Sequence, residues 1–410
     1  MAPVASRPAA PGCEAADSGD GHNHGRDDVD PEDTVSLPKG PTVPASSLTT
    51  PLTVGSLTLP NRLVMAPLTR MRSDRDGVPN GLNVEHYTQR ASMGLIVTEG
   101  TYPVLAGQGY AHQPGIETPE QVEGWRRVAD SVHAAGGRVF VQLMHAGRVS
   151  HPDLTGGRQP MAPSAIAVKG QVHTYSGKAD YPVPHALNAE ELPEVVEQFV
   201  RAARNAVEAG LDGVELHGAN GYLLHEFLAP GANRRTDGYG GPPENRARLV
   251  VEVARAVAGA IGAERVGLRI SPEHNVQDAW ETDHDDVVAT YGALLDGITD
   301  LGLAYLSVLH AEPEGEFVQS LRTRFRGPFL TNSGFGTPTS REESVRLLEE
   351  DVADGVVVGR PALANPDLVR RWVEGLPENE PDPKTFYGGG AAGYTDYPAH
   401  EAAAEVAAHS

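Results

Sequence analysis

The sequence predicts an α/β fold of the (β/α)8 TIM barrel type, on three observations. Short apolar runs alternate eight times with longer helical stretches. Most of these runs are rich in Val, Ile and Leu and only about four to seven residues long, as parallel strands buried on both faces are. The alternation fills residues 49–400, within the range of roughly 200 to over 400 residues that such barrels use. Strict β/α alternation implies a parallel sheet with helical crossovers. An open doubly wound sheet is the alternative, and it would normally show a glycine-rich turn after its first strand. Here the first strand runs into Ala66-Pro67-Leu68-Thr69-Arg70, which has no such turn.

The expected strands are Arg62–Pro67, Leu95–Glu99, Arg138–Met144, Gly213–His217, Val266–Ile270, Ala304–Leu309, Pro328–Thr331 and Gly355–Val358. Helices between them carry start signals. Thr118-Pro119 places a cap before a proline, with Gln121 in capping-box register. Asn188 with Glu191 and Thr282 with Asp285 form similar pairs, and Thr337-Pro338 opens a further helix. Pro193–Ala209 and Ala247–Ile261 have apolar residues at helical spacing. Gly136 and Gly210 fall where helices stop.

Residues 1–48 differ in kind. They are rich in Pro, Ala, Gly, Asp and Ser, and such a segment cannot bury enough apolar surface to offset its ordering entropy. The expectation is a disordered acidic tail, with 401–410 as a short C-terminal tail. His22 and His24 in the first tail offer at most weak metal contacts. The formal net charge of −22 disfavours nucleic acid and anionic membrane surfaces as partners. Cys13 is the single cysteine, so no internal disulfide or Cys-based metal site can form. No apolar run nears the roughly 20 residues of a membrane span. The start lacks the apolar core of a secretion signal. A cytoplasmic protein, monomeric or weakly self-associating, is the expectation.

Function in such barrels collects at the C-terminal ends of the strands. Side-chain alternation places Gln142 and Met144, Glu215 and His217, and Gly267 and Arg269 on shared faces. The residues between them are apolar and suited to meeting helices. Gln142, His217 and Arg269 are therefore expected to point toward the barrel axis. A satisfied polar core explains any one of them; burying all three without a ligand is costly. Gly334, Phe335 and Gly336 after the seventh strand, with Gly359-Arg360 after the eighth, match the phosphate cradle of this fold. Each glycine alone could be a plain turn. His217 and Asn220 are neutral donors suited to gripping a carbonyl or nitro oxygen. Tyr222 follows as a candidate proton donor. Glu215, His217 and His225 leave a weak metal reading open, without any Cys ligand or HExxH motif.

Several long motifs, in order, resemble the old yellow enzyme family of flavin-dependent ene-reductases. They include Met65-Ala-Pro-Leu-Thr-Arg-Met71, the stretch from Gln108-Gly-Tyr-Ala to Trp125, and His217-Gly-Ala-Asn-Gly-Tyr-Leu-Leu224. Asn233-Arg-Arg-Thr-Asp-Gly-Tyr-Gly-Gly241, Glu244-Asn-Arg-Ala-Arg248, Ala364-Asn-Pro-Asp-Leu368 and Phe386-Tyr-Gly-Gly-Gly390 follow. The resemblance covers nearly all of residues 50–400 and implies tightly but non-covalently bound FMN, with NADPH or NADH as hydride donor. It implies that Thr69 bonds the flavin near N5, and a threonine there resembles one branch of the family where another carries cysteine. Pro67 and Leu68 would line the flavin, Gly100 would admit its ring, and Gln142 and Arg269 would bond the pyrimidine end. Gly334, Phe335, Gly359 and Arg360 would hold the phosphate. His217 and Asn220 would bind the substrate oxygen, Tyr222 would deliver a proton, and Tyr110 and Tyr387 would shape the pocket.

The implied reaction is ping-pong reduction of C=C bonds activated by carbonyl or nitro groups, with hydride from flavin N5 and a proton from Tyr222. Nitroester or nitroaromatic reduction, or a biosynthetic desaturation, uses the same donors and stays open at this point. A flavin-binding scaffold would have no use for Thr69, His217, Asn220 and Tyr222 together. Position 144 departs from the better-known members, with Met in place of Trp, which implies a roomier pocket or altered stereochemical preference.

Overall fold

The structure, a computed structural model, describes residues 45–334 and 336–400. The expected disorder of residues 1–44, the C-terminal tail and the role of Phe335 lie outside the described residues. Residues Ala45–Ser47 form a short turn of 3-10 helix, and Leu48 beyond it is buried, its carbonyl accepting from the Arg62 amide at 2.9 Å. The folded part thus already includes the residues assigned to the end of the tail.

Eight parallel strands close into a barrel: β1 (Leu63–Met65), β2 (Leu95–Val97), β3 (Val139–Leu143), β4 (Gly213–Gly218), β5 (Val266–Ile270), β6 (Tyr305–Leu309), β7 (Phe329–Asn332) and β8 (Gly355–Val358). Each pairs with its neighbours in sequence, and β8 closes on β1 through Val356–Leu63 and Val358–Met65. Every expected strand is present: β1, β2, β3 and β6 are trimmed at their ends, β5 and β8 have the expected bounds, and β4 and β7 run one residue further, to Gly218 and Asn332.

The side-chain alternation holds. Val139, Val141 and Leu143 of β3 face the helices in one large cluster with Val214, Leu216, Leu268 and Ile270. Phe140 faces inward with Val64, Val97, Tyr305, Leu330 and Val357. An antiparallel hairpin, Leu52–Val54 with Leu57–Leu59, adds Val54 and Leu59 to that inner cluster. A Cβ at Gly55 in its turn would meet the Glu264 carbonyl, and one at Gly355 would meet Leu52. Both contacts lie where β5 and β8 begin, so the hairpin closes the barrel end opposite the site.

The helices that follow are α1 (Gly81–Thr88), α2 (Pro119–Ala134), α3 (Leu192–Glu208), α4 (Leu223–Leu228), α5 (Pro243–Ile261), α6 (His284–Asp296), α7 (Glu316–Phe325), α8 (Arg341–Glu349), α9 (Arg360–Ala364) and α10 (Leu368–Glu374). Thr118 and Gln121 form the expected reciprocal cap of α2. Asn188 and Glu191 do the same, around a 3-10 turn that leads into α3. Two expected starts are corrected. Asp283, not Thr282, caps α6, because its carboxylate reaches the Asp286 amide. Thr337-Pro338 opens no helix; Ser340 caps α8 through the Glu343 amide. Among the described residues just before Ser340, Gly334, Pro338 and Thr339 form part of a cavity wall.

One excursion is not visible in the alternation. Between β3 and α3 the chain forms a short parallel pair, Met161–Ala162 with His185–Ala186, and an antiparallel hairpin, Gln171–Thr174 with Gly177–Asp180. The hairpin is mostly polar and exposed, so it lacks the apolar period that marks a strand. The loop between its strands is pinned by Tyr175, whose hydroxyl donates to the Arg75 carbonyl at 3.0 Å and whose ring lies under the Arg75 guanidinium.

Candidate active site

A cavity of about 340 Å³ opens at the C-terminal ends of the barrel strands. Its base is a polar row set by strand register. Gln142 of β3 lies beside Glu215 of β4, and His217 of β4 beside Arg269 of β5. Gln142 Nε2 donates to Glu215 Oε1 at 2.8 Å, and the Tyr305 hydroxyl donates to Glu215 Oε2 at 3.1 Å. Arg269 donates from Nη1 to Ser307 Oγ at 2.8 Å and from Nη2 to Asn332 Oδ1 at 3.0 Å. Burial pushes the Glu215 carboxyl up, against the pull of Arg269, Gln142 and Tyr305. Burial also lowers Arg269, against the pull of Glu215 and Tyr305.

Protein partners therefore account for part of this row. They do not account for His217, whose buried Nδ1 has no partner. Burial, reinforced by Arg269 and His225, holds its imidazole well below the usual range, so it is neutral near pH 7. A neutral ring keeps one N–H to donate without bringing a second cation beside Arg269.

Past β4 the chain turns sharply. Asn220 adopts φ +58°, its amide donates to Ser271 Oγ at 2.8 Å, and its Oδ1 is buried without a partner. The next amide, of Gly221, donates to His225 Nδ1 at 2.8 Å. This turn brings Tyr222 back over the cavity, with its ring edge-on to His217 at 5.0 Å between centroids. The Tyr222 and Tyr110 hydroxyls are 2.6 Å apart. Burial raises both, but hydrogen bonds from Tyr110 and Gln277 pull Tyr222 back, while Tyr110 is held well above its ordinary value. Either hydroxyl can donate to the other, and Tyr222 is the better acid of the two.

Pro67, Leu68 and Thr69 from the end of β1 line the same cavity, as do Met144, Gly334, Gly359, Arg360 and Tyr387. Gly334 sits at φ +108°, a region that residues with a Cβ rarely enter. Gly100 does not line the cavity. A Cβ there would stand 2.5 Å from Met144 Sδ, so its smallness makes room for Met144 directly. Gly336 is absent from the wall and has open space around it. His225 turns away from Glu215 and His217, with Nε2 at 3.3 Å from Glu281. Among the described residues no group of three or more His, Cys, Asp or Glu could hold a metal ion. Nor, among those residues, is any helix long and apolar enough to cross a membrane.

Two features of the site were not singled out from sequence, the loop after β5 and the arginines that hold the segment bearing Tyr387. Gln277 and Val276, from the loop after β5, line the cavity. Phe386 and Tyr387 are carried over it by a segment that buried arginines hold. Arg70 donates to the carbonyls of Phe386 at 3.0 Å and Gly393 at 2.7 Å. Arg72 donates to those of Thr385 at 2.8 Å and Gly390 at 2.9 Å. The two arginines lie in the Met65–Met71 motif or just past it, a signal that could have flagged them. The loop after β5 has no periodicity or turn signature that marks Gln277.

The donor set suits one kind of ligand. A polar row with a cation comes from β3, β4 and β5, the glycines with Arg360 follow β7 and β8 with Leu309 and Leu68 beside them, and Leu363 lines the same cavity. A flat heteroaromatic carrying a phosphate tail matches this arrangement, and unpartnered His217 Nδ1 and Asn220 Oδ1 mark where further polar groups are missing. FMN fits those residues.

Residues 47–379 match the NADH:flavin oxidoreductase / NADH oxidase family. The chain belongs to this family. A probable flavin mononucleotide-dependent alkene reductase from Leishmania infantum is 46% identical over 357 residues, covering 85% of this chain and 96% of that protein. The 12-oxophytodienoate reductase 7 of Oryza sativa subsp. japonica is 40% identical over 364 residues, covering 83% and 91%. Among solved structures, the old yellow enzyme homologue from Zymomonas mobilis superposes with a TM-score of 0.80 at 39% identity, covering 86% of this chain and 99% of that one. Morphinone reductase in complex with tetrahydroNAD gives 0.81 at 44%, covering 86% and 98%. The protein is an FMN-dependent NAD(P)H:flavin oxidoreductase of the old yellow enzyme type.

Proposed function

We propose that this member of the old yellow enzyme family reduces C=C bonds activated by a carbonyl or nitro group, with NADPH or NADH as the electron source. The observation that carries the reading is the convergence of His217, Asn220 and Tyr222 on one wall of the flavin cavity, two oxygen-binding side chains beside one acid. FMN, when bound, supplies hydride transfer from nicotinamide to substrate.

The chain's own residues do the rest. Thr69, Gln142 and Arg269 would hold the flavin ring's polar edge, where Arg269 would offset negative charge. Pro67 and Leu68 would line the ring, and Gly334, Gly359 and Arg360 would hold the phosphate. His217 and Asn220 grip the substrate oxygen and stabilise the charge that develops on it. Tyr222 gives its proton to the α-carbon. Tyr110 and Tyr387 bound the pocket, and Met144 sets its depth. One cavity serving both donor and acceptor makes the kinetics ping-pong.

The test is an anaerobic titration of the purified protein, first with NADPH and then with 2-cyclohexenone. The flavin spectrum is expected to bleach with NADPH and return with the enone. A flavin that bleaches but is not reoxidised by the enone would move the assignment to another acceptor, such as a nitro compound. A protein that neither carries FMN nor takes it up would overturn the reading.

A further inference from the structure

Two histidines stand close together in the chain past β4, and the proposed reaction uses His217 and leaves His225 without a task. His225 is fully buried, is absent from the cavity wall and sits at the third position of α4. Its ring reaches back along the chain, and the Gly221 amide donates to its Nδ1 at 2.8 Å. A side chain at this helix position commonly reaches back to the amide of the capping residue. Here it reaches one residue further, into the turn between Asn220 and Tyr222. That turn holds two consecutive left-handed residues, Asn220 at φ +58° and Gly221 at φ +77°. A residue with a side chain stays in that region only where its surroundings over-determine it. Asn220 is held from the side of β5: Ser271 Oγ accepts from its amide at 2.8 Å, and Gln277 Nε2 donates to its carbonyl at 2.9 Å. His225 holds the next amide from the side of α4. Because Nδ1 accepts, the ring's proton lies on Nε2. Nε2 stands 3.3 Å from Glu281 Oε1, a close electrostatic contact rather than an aligned hydrogen bond. Glu281 is itself buried and fixed, accepting from the Tyr291 hydroxyl at 3.0 Å and the Glu273 amide at 2.8 Å.

The geometry points to His225 as a positioning residue for the proposed reaction: its Nδ1 pins the Gly221 amide and so sets the turn that presents Asn220 to the substrate oxygen and Tyr222 to the α-carbon. This rests on the roles proposed for Asn220 and Tyr222. His225 lies off the cavity and passes no proton. Glu281 acts on the far side of the ring, where its charge favours the tautomer with the proton on Nε2 and leaves the Nδ1 lone pair for the amide. The other tautomer would set an N–H against the Gly221 N–H, leave that buried donor unpaired and free the turn.

The test compares two variants of the FMN-loaded enzyme. In His225→Asn the side-chain oxygen takes the place of Nδ1 as acceptor, the same number of bonds from the backbone. In His225→Leu an apolar side chain fills similar space and accepts nothing. With 2-cyclohexenone, the second-order rate of the alkene half-reaction should fall about ten- to a hundredfold in His225→Leu, the range set by one unpaired buried donor. The loss should be shared between enone binding and the rate at saturation, because Asn220 and Tyr222 move together. In His225→Asn the rate should stay within a few-fold of the parent, and FMN affinity should match the parent in both. Equal losses in the two variants, or none in either, would reduce His225 to core packing and overturn the proposal. If His225→Leu failed to fold, nitrogen NMR of the parent with isotope-labelled histidine would carry the test, the His225 signals being assigned by their loss in His225→Asn. A bare Nδ1 and a protonated Nε2 are expected; a proton on Nδ1 would overturn the proposal. Failure of the underlying reading shows separately, as a Tyr222→Phe enzyme whose alkene step keeps its full rate.

Discussion

Arg269→Met is the substitution whose effect the structure lets one calculate most directly. It deletes a buried cation and its bonds to Ser307 and Asn332, and it leaves Glu215 buried with only Gln142 and Tyr305 as partners. Arg269 attracts Glu215 across the row without being bonded to it, so the cost of a broken buried ion pair, about 3–5 kcal/mol, is an upper limit on the loss when Glu215 stays charged. Glu215 has an escape, because it can take up a proton. Protonating an ordinary glutamate, pKa about 4.3, at pH 7 costs about 1.4 kcal/mol per pH unit, so the ionic part of the loss cannot exceed about 3.7 kcal/mol. Burial already pushes Glu215 up, and removing Arg269 raises it further. The folded variant then binds more protons than the unfolded chain at every pH above about 4.3. Its stability relative to the parent must fall as pH rises, by up to about 1.4 kcal/mol per unit, until the raised folded value is passed. The expected deficit is larger at pH 7 than at pH 5 and stays below about 3.7 kcal/mol, with Glu215→Gln in the same chain removing most of the pH dependence. Urea unfolding of the flavin-free proteins at the two pH values measures this. A deficit that does not change with pH, or that grows on acidification, would refute the assignment of Glu215 as the partner left behind.

Tyr222→Phe should keep flavin reduction by NADPH and slow the alkene half-reaction by about 10²–10⁴-fold, the usual contribution of a general acid; stopped-flow measurement of each half-reaction separates them. Met144→Trp should narrow the pocket, because Met144 already packs against Gly100. An unchanged substrate range and product configuration, by chiral chromatography, would count against Met144 as the residue that sets pocket size. Gly334→Ala forces a Cβ onto φ +108° and should cost about 1–3 kcal/mol, read as an FMN dissociation constant roughly ten- to a hundredfold higher by fluorescence titration.

The sequence by itself determined the barrel, its strand order and the polar row. A period of two along β3, β4 and β5 fixes which side chains face the axis, and a parallel barrel pairs neighbouring strands without further choice. Gln142, His217 and Arg269 were therefore legible as one group, and motif order made the family legible too. Cap positions for α6 and α8 were less so, because several Ser, Thr and Asp residues stand near each helix start and only the path of the preceding loop chooses among them. Tertiary structure alone decided that Gly100 serves Met144 directly, that Arg70 and Arg72 hold the segment bearing Tyr387, and that Gln277 bonds the Asn220 carbonyl. Each is a contact between residues far apart in the chain, made through loops that have no period to read. A strand's alternation is a local property of its backbone and is written in its own residues. A loop's path is set by the surfaces it lies against, and these exist only once the barrel has closed.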